Sequence, residues 1–191
     1  MTPDAGTVLL PIARAAIARP LGAFAPARED APWLGEPGAT FVTLKKNGAL
    51  RGCIGSLEAR RPLLVDLKSN AVAAAFRDPR FPPLEHEELD EIRIEVSLLS
   101  PLAAIEFESE VEALARLRPF EDGIVLEYGV RRGTFLPQVW EDLPEPAQFL
   151  GELKRKAGLS ASFWSDGVRL FRYSVAKYIE AETAAIAPMS A

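Results

Sequence analysis

Apolar and polar positions along this chain follow two different periods, and the change of period separates helices from strands. An apolar residue at every third or fourth position predicts an amphipathic helix, whereas strict alternation predicts a half-buried strand. The predicted helices are residues 4–19, 62–78, 111–117 and 146–156, with Asp4 and Ser109 as candidate N-caps of the first and third. The predicted strands are residues 40–46, 49–56, 92–98, 102–107, 123–130, 134–138 and 168–179, with a turn at residues 131–133.

The clearest local feature is Asn47-Gly48, which separates two runs rich in β-forming residues. Both central residues of a type I′ turn need positive φ, and Asn-Gly supplies it, so a hairpin is predicted here. The second strand of this hairpin contains the only cysteine, Cys53, together with Gly52 and Gly55. Glycine weakens a strand, so these two glycines indicate either a bulge or the close approach of a backbone or a ligand.

The order of elements favours an α+β fold, with a mainly antiparallel sheet flanked by helices, over a doubly wound parallel sheet. No internal repeat or low-complexity linker divides the chain. We therefore expect residues 1–191 to form a single domain with a frayed tail from about residue 181. Residues 20–39 are rich in proline and glycine and predict a long surface loop, which in a compact domain is often functional.

Composition and charge narrow the classes of protein. Of 191 residues, 48% are hydrophobic and 26% charged, which supports a folded core. The net charge of −5 argues against direct binding to nucleic acid or to an acidic membrane, because such binding relies on a basic surface. No apolar stretch approaches the roughly 20 residues that span a bilayer, and no signal peptide is visible. A single cysteine excludes an internal disulfide, so we expect a cytoplasmic protein.

Cys53 is the first candidate for chemistry. A thiolate is a strong nucleophile when positive charge or backbone N–H groups stabilise it. Arg51 lies two residues earlier on the same predicted strand, so the two side chains are expected to share a face. The alternative is an inert cysteine that packs as a small hydrophobic residue. The only histidine, His86, lies in an acidic run typical of a surface, so no Cys–His pair, metal site or cofactor is predicted.

Glu95 and the segment Asp78-Pro79-Arg80 are further candidates. Glu95 alternates with apolar residues, so it lies on the polar face of its predicted strand. If that face lines a cleft, the carboxylate can act as a general base or pair with Arg51; otherwise it is a solvent-facing charge. Arg80 could bind a carboxylate or a phosphate through two guanidinium nitrogens, and the alternative is an internal brace between Asp78 and Arg80.

Five segments carry a resemblance to a known family. They are Leu50-Arg51-Gly52-Cys53-Ile54-Gly55, Asp78-Pro79-Arg80-Phe81, Ile94-Glu95-Val96-Ser97-Leu98-Leu99, Thr134-Phe135-Leu136-Pro137-Gln138-Val139 and Lys156-Ala157-Gly158-Leu159. The chain resembles, over about residues 8–180, the AMMECR family, called protein A of the AmmeMemoRadiSam system in bacteria and archaea. The resemblance implies an α+β fold with a larger lobe, a smaller lobe and a groove between them. It also implies association with a Memo-like protein, similar to extradiol dioxygenases, and with a radical-SAM protein.

The resemblance carries functional positions over to this chain, and three hypotheses follow from them. In the first, the protein is an enzyme that processes a small molecule, with Cys53 and Glu95 as catalytic residues. The ligand-binding residues would be Arg51, Gly52, Gly55, Asp78, Arg80, Thr134 and Gln138. In the second, the same groove binds a peptide or metabolite without catalysis and presents it to the Memo-like partner. In the third, the protein is an accessory in RNA modification.

Overall fold

The computed structural model describes residues 5–181, which form an α+β fold with two antiparallel sheets, as the sequence predicts. The helices of this range are α1 (Ala5–Ala18), α2 (Leu63–Phe76), α3 (Glu110–Arg116) and α4 (Pro146–Lys156). The strands of the same range are β1 (Ala39–Lys46), β2 (Ala49–Gly55), β3 (Ile92–Leu99), β4 (Ala103–Ile105), β5 (Gly123–Tyr128), β6 (Arg131–Phe135), β7 (Arg169–Tyr173) and β8 (Val175–Ile179). The four predicted helices are therefore confirmed.

The chain divides into two compact units, each with its own sheet and its own core. The first unit runs to Leu98 and takes up the chain again from Ala176; its strand order is β2-β1-β3-β8, and α1 packs against α2. The second unit is Leu99–Val175, with the strand order β4-β7-β5-β6. Its core is centred on the stacked rings of Trp140 and Phe149, whose centroids are 3.6 Å apart. The groove expected between two lobes stays a prediction.

β1 and β2 form the hairpin predicted from Asn47-Gly48. Asn47 has φ of 52° and Gly48 has φ of 78°, which is the left-handed conformation that a type I′ turn requires. The ladder is interrupted at Arg51, an extra residue that forms a β-bulge next to Gly52. A Cβ atom at Gly52 would lie 2.2 Å from the carbonyl oxygen of Ala74 in α2. Both expected reasons for the glycine, a bulge and a close approach, are thus present.

α2 connects the hairpin to the rest of the first unit. It begins directly after Pro62, whose fixed φ and missing N–H suit the start of a helix. Its buried face packs on β1 and β2, and this face is apolar except for Asp66 and Asn70. The helix ends at Phe76, shortly before Pro79, because a proline disfavours helical conformation in the residue that precedes it.

The end of the chain departs from the prediction. One strand was expected over residues 168–179, but two are present: β7 pairs with β5 in the second sheet, and β8 belongs to the first sheet. Only Ser174 separates them, and the irregularity in the apolar alternation between Leu170 and Phe171 lies inside β7 and not at the change of sheets. β3 also differs from its predicted half-buried pattern, because nearly all its residues are buried on both faces.

The hairpin of the second unit turns two residues earlier than predicted. The turn was expected at residues 131–133, but Gly129 and Val130 form it and β6 begins at Arg131. Gly129 has φ of 57°, and a glycine at the first central position is typical of a type II′ turn. The arginines were therefore wrongly read as turn residues.

The remaining expectations concern the two ends of the chain. Pro11 lies inside α1, which continues through it. Asp4, the predicted N-cap of this helix, and the tail from residue 182 lie outside the described residues. Between residues 5 and 181, no helix is long and apolar enough to cross a membrane.

Candidate functional site

Cys53 lies on β2, the outer strand of the first sheet, opposite Thr43 on β1. Its side chain is half-buried, so the thiol is neither sealed in the core nor fully exposed. The hydroxyl of Thr43 donates a hydrogen bond to the thiol, with Oγ1 and Sγ 3.1 Å apart. The sulfur therefore has a hydrogen-bond donor fixed beside it.

Asp78 and Arg80 cover the outer edge of β2 at Cys53. The backbone N–H of Cys53 donates to Asp78 Oδ2 at 2.8 Å, and Arg80 Nη2 donates to the carbonyl oxygen of Cys53 at 3.2 Å. Backbone groups at the outer edge of a sheet are otherwise open to pairing with another strand. The internal brace expected as one alternative for Asp78 and Arg80 is thus present, and it also holds the strand that carries the thiol.

The pair formed by Asp78 and Arg80 is bidentate. Arg80 Nε lies 2.9 Å from Oδ1 and Nη2 lies 2.6 Å from Oδ2. Arg80 and the Cys53 N–H hold the pKa of Asp78 well below its usual range, against the opposing effect of burial. Asp78 is only 4% exposed, whereas the side chain of Arg80 is 54% exposed. One side of the guanidinium is therefore occupied by the pair and the other side faces solvent.

Arg51 makes its hydrogen bonds in a second network. It donates to Glu88 through Nε and Nη2, at 2.9 and 2.7 Å, and to the carbonyl oxygen of Pro82 at 3.0 Å. Arg51 lowers the pKa of Glu88 to about 2. The bulge at Arg51 interrupts the alternation on which the expected Arg51–Cys53 neighbourhood rested. Arg51 instead ties the segment that follows Arg80 to β2.

Glu95 lies on β3, which β1 separates from β2. It is 5% exposed, with Oε1 2.9 Å from Lys45 Nζ and Oε2 3.5 Å from Lys177 Nζ. Burial acts to raise the pKa of Glu95, but the two lysines outweigh it and the pKa lies below its ordinary value. Glu95 is therefore a buried carboxylate held between two ammonium groups, and not the solvent-facing charge of the alternative expectation.

Cys53, Thr43, Lys45 and Glu95 share one face of the first sheet. Thr43 and Lys45 are two residues apart on β1, Cys53 pairs with Thr43, and Lys45 contacts Glu95. A hollow of about 450 Å³ lies beside Lys45 and Glu95, bordered by the turn at Asn47-Gly48. This volume is in the range of small-molecule pockets.

Gly55, the second glycine near the thiol, is explained by packing. A Cβ atom at this position would lie 2.2 Å from the ring of Phe41. Together with the contact between Gly52 and Ala74, this accounts for both glycines without a ligand. A binding role for Gly52 and Gly55 stays a prediction.

Thr134 and Gln138 belong to the second unit. Thr134 lies on β6, with its Oγ1 3.2 Å from the hydroxyl oxygen of Tyr173, and burial raises the pKa of this tyrosine. Gln138 is exposed in the short 3-10 helix Pro137–Glu141. A joint ligand-binding role of these two residues with Cys53 stays a prediction.

The sequence reasoning missed a buried polar network at the start of α2. Asp66 accepts hydrogen bonds from the Thr40 N–H and hydroxyl, both at 2.8 Å, from Ser56 at 2.7 Å and from Asn70 at 2.8 Å, and it pairs with Arg61 at 2.9 Å. The network joins the start of β1 and the end of β2 to the helix. Two polar residues four apart on an otherwise apolar helix face were the available signal.

These observations define a class: an α+β protein of two units, in which an Asp–Arg pair holds a half-buried thiol at the edge of a sheet. Within residues 5–181, no group of three or more His, Cys, Asp or Glu side chains could hold a metal ion. The chain belongs to the AMMECR1 family, whose model matches residues 10–178.

Relatives and a solved structure agree with this assignment. A protein of Methanothermobacter thermautotrophicus is 41% identical over 175 residues, which cover 89% of this chain and 91% of that protein. Protein MJ0810 of Methanocaldococcus jannaschii is 36% identical, covering 95% and 93% respectively. The crystal structure of protein PH0010 from Pyrococcus horikoshii superposes with a TM-score of 0.77 at 32% identity, over 94% of this chain and 93% of that one.

Proposed function

We propose that this protein is an enzyme that binds a small anionic molecule beside Cys53 and uses the thiol as its nucleophile. The observation that carries the proposal is the setting of Cys53. Its half-buried sulfur lies 3.1 Å from the hydroxyl of Thr43, on a strand whose backbone is held by Asp78 and Arg80. Holding the backbone on both sides of a nucleophile limits its motion, which favours a defined angle of attack.

Arg80 supplies the binding group in this proposal. Asp78 occupies one side of the guanidinium, and the exposed side presents Nη1, which donates no hydrogen bond to a described residue. A planar guanidinium suits a carboxylate or a phosphate. Lys45, on the same sheet face as Thr43, adds a second positive group. Cys53 would lose its proton to solvent and add as the thiolate to a carbonyl carbon of the bound molecule; the C–S bond forms as the π pair of the C=O moves onto its oxygen, which takes up a proton.

We assign Glu95 the task of holding Lys45 and Lys177, and not direct proton exchange with Cys53. Neighbouring strands lie about 4.8 Å apart, so residues two strands away are separated by roughly 10 Å. β1 lies between the strands of Glu95 and Cys53. A proton-carrying role for Glu95 stays a prediction that requires an intervening group, such as water or the ligand itself.

A second candidate function, binding without catalysis, is favoured by the state of Asp78. This carboxylate is hydrogen-bonded to the backbone of Cys53, yet its pKa lies well below the usual range because Arg80 stabilises the charged form. Such a carboxylate is a poor general base near neutral pH, because proton transfer is most efficient when the pKa lies near the working pH. A module that holds an anion and presents it to a partner needs no such base.

The family resemblance supplies a context for both candidates. We expect the bound molecule to be made or consumed by a Memo-like protein or by a radical-SAM protein. An accessory role in RNA modification would need a basic partner, because a net charge of −5 disfavours direct contact with RNA.

The anion site can be tested by alkylating Cys53 with two reagents of different charge. The ratio of the rate with iodoacetate, which is anionic, to the rate with neutral iodoacetamide is measured by mass spectrometry and compared with the ratio for free cysteine. If Arg80 forms an anion site beside the thiol, we expect the protein's ratio to be several times higher and Arg80→Gln to reduce it to that of free cysteine. Arg28→Gln is the matched control, since Arg28 is an exposed arginine paired with Asp30.

Catalysis and simple binding are separated by a second measurement. The protein and its Cys53→Ser variant are incubated with a metabolite extract, and the metabolites are followed over time. An enzyme consumes a metabolite that the variant leaves unchanged, whereas a binding module retains the same metabolite in both forms. Both candidates would be contradicted if the ratio of the iodoacetate rate to the iodoacetamide rate equals that of free cysteine and no metabolite is consumed or retained.

A further inference from the structure

The second unit has a strand whose outer edge is not covered in the way that Asp78 and Arg80 cover β2. Among residues 5–181, β6 is the last strand of its sheet and pairs on one side only, with β5. The resemblance singles out Thr134 on this strand, and the proposed function gives it no role. The opposite edge of the same sheet is β4, which has only three residues.

The hairpin geometry fixes which backbone groups point outward. A two-residue turn is closed by a hydrogen-bonded pair, here Tyr128 and Arg131, and hydrogen-bonded pairs then alternate with non-hydrogen-bonded ones. Thr134, opposite Val125, falls in a non-hydrogen-bonded pair. Its N–H and C=O therefore point away from β5, and no described residue hydrogen-bonds to them.

The same rule applies to β2, where the structure confirms it. Cys53, opposite Thr43, also directs its N–H and C=O outward. There the N–H donates to Asp78, and the C=O accepts from Arg80. The two strands thus have equivalent outward-facing positions, one covered by side chains of its own chain and one not.

The side chains beside the edge of β6 are basic. Arg131 is exposed and donates to the carbonyl oxygen of Gly158, at the end of α4. Lys156 of the same helix lies over the ring of Phe135, with Nζ 4.9 Å from the ring centroid, and Arg155 is exposed next to it. Arg155 is paired with Glu152, so an extended segment at this edge would have Arg131 and Lys156 as its positive neighbours, which favours acidic side chains on that segment.

We propose that β6 is a docking strand for an extended acidic peptide of a partner protein, which adds to the second sheet as a further antiparallel or parallel strand. The main-chain hydrogen bonds of Thr134 would supply pairing, and Arg131 and Lys156 would select acidic residues. The proposal is independent of Cys53, because it concerns a different unit and different groups.

The test is a selection from a phage-displayed library of random octapeptides on the full chain. The most enriched sequence is made as a fluorescein-labelled peptide, and its binding is measured by anisotropy and mapped by amide chemical shifts. We expect an acidic sequence, with the largest shifts at Thr134 and its neighbours on β6. Thr134→Pro, which removes the N–H, should weaken binding about tenfold, and Arg131→Glu should weaken it roughly fivefold.

The controls separate this proposal from the function at Cys53. Arg28→Glu changes the net charge equally but lies in the first unit, so binding should be unchanged, and Cys53→Ser should also bind normally. If Thr134→Pro does not fold, the peptide affinity of Arg131→Glu and the map of amide chemical-shift changes still test the proposal. No enriched peptide, enriched peptides without acidic residues, or shifts centred away from β6 would each overturn the proposal.

Discussion

Two outer strands of this protein differ in how their outward-facing backbone N–H and C=O groups are hydrogen-bonded. β2 and β6 are both outer strands of antiparallel hairpins, and in each the N–H and C=O of a central residue point outward. At Cys53 on β2 the N–H and C=O are hydrogen-bonded to Asp78 and Arg80, and we call this edge of the sheet the closed edge. At Thr134 on β6 no described residue takes them up, and we call this the open edge.

This difference determines which groups of each strand are available to bind another molecule. At the closed edge the backbone is satisfied and rigid, so the groups left for a ligand are the half-buried thiol and the exposed side of Arg80. At the open edge the backbone itself is the available group, and it suits a peptide strand. The following predictions test this difference between the two edges, in order of decreasing expected effect.

Gly52→Ala should damage the closed edge most. The new Cβ would lie 2.2 Å from the carbonyl oxygen of Ala74, and neither backbone can move without separating β2 from α2. We expect a loss of about 3 kcal/mol or more in the free energy of unfolding, measured with urea. Gly133→Ala on β6 meets its neighbours at 3.1 Å and should cost about 1 kcal/mol. Gly35→Ala, with nothing within 4 Å, is the control, and an equal loss in all three variants would contradict the argument.

Asp78→Asn should weaken the closed edge without changing its shape. The variant removes the charge that Arg80 and the Cys53 N–H stabilise, and a buried charge-assisted hydrogen bond contributes about 1.5 to 3 kcal/mol. We therefore expect a loss of roughly 2 kcal/mol in urea unfolding. Asp30→Asn removes an exposed pair with Arg28 and should leave the free energy of unfolding unchanged within error. Equal losses would show that Asp78 does not hold the strand.

The pair of Arg51 and Glu88 predicts a specific dependence of stability on pH. The folded pKa of Glu88, about 2, is below its ordinary value of 4.5, so the stabilisation is complete above pH 4.5 and is lost as the pH falls toward 2. Both side chains are partly exposed, so we expect a contribution of roughly 1 to 2 kcal/mol. The stability of Glu88→Gln should fall less as the pH is lowered. The measurement is the difference in the free energy of unfolding between the two proteins at each pH. Parallel pH curves would contradict the assignment.

Thr43→Val should have the smallest effect on stability, less than about 1 kcal/mol, because it replaces one half-exposed hydrogen bond by a group of similar shape. Its effect should appear in the rate at which iodoacetamide alkylates Cys53, since the donor beside Sγ is lost. Ser56→Ala changes a hydroxyl elsewhere on the first unit and should leave that rate unchanged. An unchanged alkylation rate in Thr43→Val would remove Thr43 from the proposed site.

Much of the fold was predictable because its signals are local. Asn47-Gly48 fixed the first hairpin through backbone conformation alone, and Ser109 was correctly identified as the N-cap of α3, where it accepts from the N–H of Glu112. The change of sheets at Ser174 was not predictable, because a single residue lies between β7 and β8 and only tertiary pairing separates them.

The candidate residues could be named from the sequence, but the contacts among them could not. In the structure Cys53 contacts Asp78 and Arg80, whereas Arg51 pairs with Glu88, and Glu95 pairs with Lys45 and Lys177. A single inserted residue at the bulge redirected Arg51, and a bulge next to a glycine does not reveal which side chain it moves. Long-range charge pairs such as Glu95 with Lys177 leave no pattern in one sequence.

The comparison between the two edges is tested most directly by hydrogen exchange of two amides in one sample. The Cys53 N–H is hydrogen-bonded to a buried carboxylate, and the Thr134 N–H points to the open edge. Relative to their intrinsic rates, we predict that the Cys53 amide exchanges at least about a hundredfold more slowly than the Thr134 amide under native conditions. Equal protection of both amides, or faster exchange at Cys53, would contradict the account.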